Sequence, residues 1–408
     1  MTSFRAGIVG IMSVAFLIGN SVSPVFARLH DSQIHGQRKH VHQSNSRHRH
    51  SRHRTKHQAA VHVQPQVGAL FVTENGETLL DELSNVEFNP ASVAKIVTAY
   101  GAIKVFGLDH RFSTKVFAEG EVDSSGTLQG NLYVQGIDPK FALSDAASLQ
   151  NSLMQAGIKR VNAKIIVSPG FSYCCCADSL YSAKALQRAW TRGKRITILK
   201  GVACGQVPDG LSELADNQSE SLRETLKEML CYSQNSVAEQ LGRVSGGVAH
   251  LEQLVSEAAG ISEGSLKLSS ASGLGKGRVK PRDMMLVLKS LRKELQSRGL
   301  DLQDICPVAG IDPGTLDERF TDPTECGSMV GKTGTLPGTD GGTSTLVGLF
   351  RTQKEDVYFV IFCWHGSVVG FRHQQDELIK RVQALRGGAR PFAYGPLATA
   401  HDAAIERQ

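Results

Sequence analysis

The chain has 408 residues, 41% hydrophobic and 6% aromatic, enough for one large domain with an insertion or for two domains of ordinary soluble composition. Its formal charge of +6 would suit a nucleic-acid binder, but the distribution of that charge excludes the globular part from such a role. Nine of the 45 basic residues and one of the 39 acids, Asp31, lie in the first 57 positions, so the remainder is close to neutral.

Arg5 precedes an apolar run from Ala6 to Gly19, and Pro24-Val25-Phe26-Ala27 offers compact residues before a cleavage point after Ala27. Residues 1–27 therefore read as an export signal. The run is shorter than the roughly 20 residues of a membrane span, which disfavours the alternative of a retained anchor. Export implies the periplasm or cell surface. Residues 28–66 are rich in His, Arg, Ser and Gln and hold nine of the fourteen histidines. Such a composition cannot bury enough apolar surface to fold, so a disordered linker is expected. A metal-binding tail and electrostatic contact with an anionic wall or membrane surface are both open readings of it.

Gly68–Val72 reads as a strand, Asn75-Gly76 as a hairpin turn and Glu77–Leu80 as the returning strand. Asn89-Pro90-Ala91 opens a helix with Ser92 in its first turn. A short strand at Gly130–Val134, a helix near Ser144–Gly157 and a strand at Ala163–Val167 belong to a compact inserted unit, 117–204. Helical patterning resumes at Ser219–Leu230 and Ser233–Arg243. Strands at Ser328–Thr335, Thr343–Arg351 and Val357–Trp364 precede a helix at Gln374–Leu385, and 391–408 forms a tail. The order predicts an α/β (α+β) fold: one antiparallel sheet with helices on both faces. Eight cysteines include the run Cys174-Cys175-Cys176 but no paired C-x-x-C units, which argues against structural zinc; Cys306 and Cys326 bracket one loop and are the predicted pair.

Ser92-Val93-Ala94-Lys95 puts a hydroxyl and an amine three residues apart, on one helix face. A serine is a poor nucleophile until a base takes its proton, and a lysine serves if burial or a nearby cation lowers its pKa. Taken alone, this spacing is common on surface helices. Lys332-Thr333-Gly334-Thr335 is a rarer string, placed on a predicted strand. Gly334 lets a peptide approach that strand and pair with it, while Lys332 and the hydroxyls can meet a carboxylate. Ser233-Gln234-Asn235 offers a hydroxyl to relay a proton and an amide to orient a lysine; alone it reads equally as a helix cap. The order Ser-x-x-Lys, Ser-x-Asn, Lys-Thr-Gly is the pattern of penicillin-recognising serine enzymes.

Longer stretches resemble the low-molecular-mass penicillin-binding proteins that act as D-alanyl-D-alanine carboxypeptidases and endopeptidases. Phe88-Asn89-Pro90-Ala91-Ser92 with Gly107–Phe112 is similar to that family's nucleophile helix and following strand. Gly130–Val134 with Gly136-Ile137-Asp138-Pro139 resembles the lead into its inserted domain, and Pro307–Gly310 through Gly314-Thr315-Leu316 and Arg319 the segment before its Lys-Thr-Gly strand. Ser270–Gly275 is similar to a family Asp-Gly-Ser-Gly-Leu-Ser stretch but lacks its acid and last serine. The gap from Ser92 to Ser233 implies a reduced insertion.

The resemblance implies a transpeptidase-like catalytic domain over 67–116 and 205–390, interrupted by 117–204. It also implies an acyl-enzyme on Ser92 with Lys95 as base. The backbone N–H groups of Ser92 and Thr335 would form the oxyanion hole. Ser233, ordered by Asn235 and Lys332, would pass a proton to the departing D-alanine, while Lys332 and Thr333 hold its carboxylate. Peptidoglycan stem peptides are the implied substrates and β-lactams the implied covalent inhibitors; no metal or cofactor is required and nucleic acid is not a partner. A β-lactamase needs a carboxylate after Ser-x-Asn, but the nearest match, Glu213-Leu214-Ala215-Asp216-Asn217, precedes Ser233. An inert penicillin-recognising wall-binding module is the second alternative, disfavoured by three intact motifs.

Overall fold

The computed structural model describes residues 66–192 and 196–395. The predicted export signal, the linker except Gln66, and residues 396–408 of the tail lie outside these. Among the described residues no helix is long and apolar enough to cross a membrane.

Five strands form an antiparallel sheet: β1 (Gln66–Thr73), β2 (Thr78–Glu82), β11 (Met329–Leu336), β12 (Thr343–Arg351) and β13 (Asp356–Trp364), in the order β11-β12-β13-β1-β2. The central strands are buried along almost their whole length, and apolar over Leu346–Phe350 and Val357–Trp364, because both faces are covered. Alternation along a strand divides them between two cores. Leu70, Val72, Val347, Leu349, Val360 and Phe362 point into one cluster, and Phe71, Leu346, Phe350, Phe359 and Ile361 into the other.

The first cluster surrounds helix α1 (Ala94–Phe106), which is buried from Ala94 to Ile103, as expected of a helix apolar on every side. Gly101 lets it close on Leu251, since a Cβ there would lie 2.3 Å from that side chain. Around α1 stand α4 (Leu222–Cys231), α5 (Asn235–Val244), α6 (Val248–Ala259) and α7 (Pro281–Gln296), the last begun by a proline that needs no amide partner there. On the opposite face lies α8 (Val368–Leu385). It starts six residues before its predicted position because Ser367 Oγ caps Gly370 N at 3.3 Å.

Between α1 and α4 the chain builds a second sheet, to which the strands predicted at Gly130–Val134 and Ala163–Val167 belong. It consists of β3 (Arg111–Ala118), β5 (Leu132–Gly136), β7 (Ile165–Val167), β9 (Val202–Cys204) and β10 (Ser212–Ser221), in the order β10-β3-β5-β7-β9. Its β5-β7-β9 part is parallel, and α2 (Leu143–Gln155) and α3 (Ser179–Thr191) connect those strands. A small parallel sheet joins β4 (Thr127–Leu128), β6 (Arg160–Val161) and β8 (Thr197–Ile198). One apolar cluster, from Val116 to Ala215 with Trp190 at its centre, serves these elements.

Two local expectations are corrected. Ser219–Ser221 ends β10 rather than opening a helix, because Ser221 and Glu224 cap α4 reciprocally. Cys306 and Cys326 are unpaired thiols: Cys306 is buried, and Cys326 Sγ turns instead to the Gly310 carbonyl at 3.3 Å.

Candidate active site

Ser92 sits in a single 3-10 turn, Ala91–Val93, that runs directly into α1. The turn is held by its neighbours rather than by a cap of its own. Ala91 has φ +48°, a left-handed conformation unfavourable for a residue with a side chain. Asn89 Oδ1 accepts from Ala91 N at 3.0 Å, and Asn89 Nδ2 donates to Asp340 Oδ2 and the Gly275 carbonyl, both at 2.9 Å. Arg278 grips the same Asp340 carboxylate with two nitrogens, at 2.9 and 3.1 Å. Burial raises the Asp340 carboxyl, but Arg278 and Asn89 outweigh it and hold it below the usual range.

Lys95 follows one turn later and is fully buried. Its amine donates to Ser92 Oγ at 3.1 Å, Asn235 Oδ1 at 2.7 Å and the Ser272 carbonyl at 2.8 Å. An ammonium has three donors, and all three are used. None of the acceptors is charged, so burial pushes the Lys95 amine down to about 8, against an upward pull from Glu239. Loss of one proton leaves a lone pair within reach of the serine hydroxyl. That is the geometry of a general base beside its nucleophile.

The carbonyl on Lys95 belongs to a loop anchored twice. Thr98 Oγ1 donates to the Ala271 carbonyl at 2.7 Å, and Ser272 N donates to Glu239 Oε1 at 3.0 Å. Gly273 has φ +83°, and a Cβ there would lie 1.8 Å from the Ala91 carbonyl. The loop can close on the nucleophile turn only because that residue is glycine. Burial raises the Glu239 carboxyl, yet the hydrogen bonds from Ser272, Ser270 and the Ala271 backbone bring it below its ordinary value.

Strand β11 forms the other wall. Lys332 and Gly334 follow Val330 on the α1 face, while Thr333 and Thr335 follow Met329 on the α8 face. A Cβ on Gly334 would stand 2.2 Å from Thr345 Oγ1 and 2.9 Å from Ser92 N, so the Lys-Thr-Gly glycine is required by contact. Thr345, opposite Gly334 on β12, donates to the Pro90 carbonyl at 2.9 Å and ties the turn to the sheet. Lys332 is fully buried and donates to the Thr333 carbonyl at 2.8 Å. Burial, followed by repulsion from Lys95, pushes its amine down to about 7.

Ser233 is not the helix cap that its sequence position allows. It occupies the turn between α4 and α5 with φ +55°, and Gln234 precedes the helix. Thr315 N donates to the Cys231 carbonyl at 3.0 Å beneath that turn, and Gly314 approaches so closely that a Cβ would lie 2.3 Å from the same oxygen. Asn235 directs its amide oxygen to Lys95 and not to Ser233, and among the described residues Ser233 makes no hydrogen bond through its hydroxyl.

Ser92, Lys95, Asn235, Lys332 and Gly334 thus converge through direct contacts or close charges. Glu239, Arg278, Asp340 and Thr345 were not singled out by sequence reasoning, while Asn89 was read as part of the helix start and Ser272 within the Ser270–Gly275 stretch. Glu239 carries a usable signal, one helical turn beyond Asn235. Glu213 lies in β10, paired with Lys115 at 2.8 Å. Among the described residues no three His, Cys, Asp or Glu side chains gather as a metal-holding group.

The D-Ala-D-Ala carboxypeptidase 3 (S13) family model matches residues 56–172 and 170–382. A carboxypeptidase of Mycobacterium tuberculosis is 24% identical, the match covering 79% of this chain and 82% of that protein. Penicillin-binding protein 4 of Haemophilus influenzae superposes with a TM-score of 0.68 at 20% identity, over 78% of this chain and 96% of that one. A penicillin G-acylated predatory endopeptidase of Bdellovibrio bacteriovorus, solved with an immunity protein, gives 0.67 at 19% identity, over 82% and 97%. With a serine, a buried lysine and a Gly-bearing strand already in contact, the chain belongs to the D-Ala-D-Ala carboxypeptidase 3 (S13) family and is a serine-type carboxypeptidase of the penicillin-binding fold.

Proposed function

We propose that the enzyme cleaves the D-alanyl-D-alanine end of peptidoglycan stem peptides through an acyl-enzyme on Ser92, with endopeptidase action on crosslinks carried by the same site. The observation that carries this reading is the Lys95 amine, buried, lowered to about 8 and 3.1 Å from Ser92 Oγ. Neutral Lys95 takes the Ser92 proton as Oγ attacks the carbonyl of the penultimate D-alanine. The oxyanion meets the backbone N–H groups of Ser92 and Thr335, a reading supported by the close approach of Gly334 to Ser92 N. The C–N bond then breaks, and the proton taken by Lys95 passes to the departing amine with Ser233 as the relay, which leaves Lys95 neutral. Water adds to the ester, its proton returns through Lys95, and the serine is freed. Thr333 and Thr335 hydroxyls hold the leaving residue, with Lys332 on the nucleophile's side of the strand.

The family's substrate puts the enzyme in a cell-wall compartment. Export with cleavage after Ala27, and contact between the basic segment 28–66 and anionic wall or membrane, are supported by sequence pattern alone. The test is a fluorescent penicillin beside a muropeptide pentapeptide. Stable labelling that disappears in Ser92→Ala, together with release of free D-alanine, is expected. Rapid turnover of the probe would indicate a β-lactamase, and absence of both signals an inert wall-binding module.

A further inference from the structure

The α8 face of β11 holds a cation that the proposed mechanism does not use. Thr333 and Thr335 point to that face, whereas the Lys332 amine is buried on the other and committed to the Thr333 carbonyl. Arg372, exposed on α8, donates through Nη2 to Thr335 Oγ1 at 3.1 Å. Among the described residues no carboxylate lies within ion-pair distance of Arg372. Its position is built. Gln375, one turn on, donates to Ser344 Oγ at 3.3 Å, and Ser344 is the residue paired with Thr335. Arg319 Nε holds Asp376 at 2.9 Å, and its Nη2 reaches the Arg372 carbonyl at 3.5 Å.

We infer that Arg372 is a specificity residue that, with the Thr335 hydroxyl, binds the free carboxylate of the leaving residue. The inference rests on the reaction proposed above. The scissile carbonyl must lie beside the contact of Ser92 with Gly334, and the leaving residue's carboxylate lies one residue, roughly 3.4 Å of extended chain, beyond it. Thr335 is the next residue along an edge strand with an open side. Its oxygen accepts from Arg372, so its own O–H is left to donate to a carboxylate oxygen, and the guanidinium has further N–H groups for the other oxygen. Arginine remains charged across the working pH range.

The experiment measures kcat/KM for an acyl-D-Ala-D-Ala peptide and for its C-terminal amide, in the wild type, Arg372→Ala and Arg372→Lys. The wild type should prefer the free acid. In Arg372→Ala that preference should fall about 10- to 100-fold, and Arg372→Lys should recover part of it. An unchanged acid-to-amide ratio in Arg372→Ala overturns the inference, whether both rates persist or both fall together as a structural defect would make them. A wild type that cleaves neither peptide defeats the activity reading and this inference with it; cleavage with an unchanged ratio defeats this one alone.

Discussion

Two buried lysines show how the same side chain is made structural in one region and reactive in another. Lys227 on α4 donates to the Gln303 and Cys306 carbonyls at 2.9 and 2.8 Å and to Asp312 Oδ2 at 2.6 Å, with the Tyr394 ring 4.7 Å from its nitrogen. Asp312 is satisfied in turn by Val308 N at 2.7 Å and the Tyr394 hydroxyl at 2.8 Å. Lys95 has the same number of partners at similar distances, but all of them are neutral. Three neutral acceptors therefore fix the Lys95 amine in place without holding its proton as tightly as water would. The carboxylate makes the difference: Lys227 touches one directly in a buried ion pair, whereas Glu239 stands one residue behind Lys95, through Ser272, and burial lowers that amine.

The sharpest way to break this comparison is to truncate both amines. Lys95→Ala should fold, because the side chain leaves behind only neutral acceptors, yet its acylation rate should fall about 100- to 10,000-fold, the usual contribution of a general base. Penicillin labelling kinetics beside a thermal melt measure the two effects separately, and acylation retained at neutral pH would remove Lys95 from the mechanism. Lys227→Met should do the reverse. It strands the Asp312 carboxylate in the interior at a cost of about 3–5 kcal/mol of stability, read by denaturant unfolding. Ser92 should still label in the fraction that remains folded. If Lys227→Met labelled slowly while unfolding normally, the buried ion pair would be part of the site and the contrast would fail.

Much of this contrast was legible in the residues and some was not. The spacing of Ser92 and Lys95 and the glycine of Lys-Thr-Gly report direct contacts, so residue type and interval carry them. Strands β12 and β13 were equally visible, since a strand covered on both faces carries a continuous apolar run, here Leu346–Phe350 and Val357–Trp364. Of the parallel strands in the second sheet, β7 falls within the predicted strand Ala163–Val167, whereas β9, three residues long, is too short for alternation to be read. The Asn89–Asp340–Arg278 brace joins positions as far as 251 residues apart, and no local pattern marks such a pair. Asn235 was legible as an amide suited to a lysine, but the left-handed turn that separates Ser233 from it depends on Gly314 pressing on Cys231, a tertiary contact.

The smallest expected effect sharpens the comparison most. An amine at about 8 is only about one-tenth neutral at pH 7, so acylation should rise close to tenfold per unit below pH 8 and level off above it. Glu239 pulls that value upward. In Glu239→Gln the amide oxygen still accepts from Ser272 N, so the loop keeps its place while the charge is lost. The Lys95 amine then gives up its proton more readily, and the rising limb of the profile moves to lower pH. Acylation near pH 6 should increase by a factor of about two to five, while the plateau falls slightly because a less basic amine is a weaker catalyst. A carboxylate that acted only as a support would make the substitution lower the rate at every pH. The pH dependence of labelling therefore separates charge from scaffolding at Glu239, and a uniform fall would mean that the distance from this carboxylate to Lys95 has no part in setting the base.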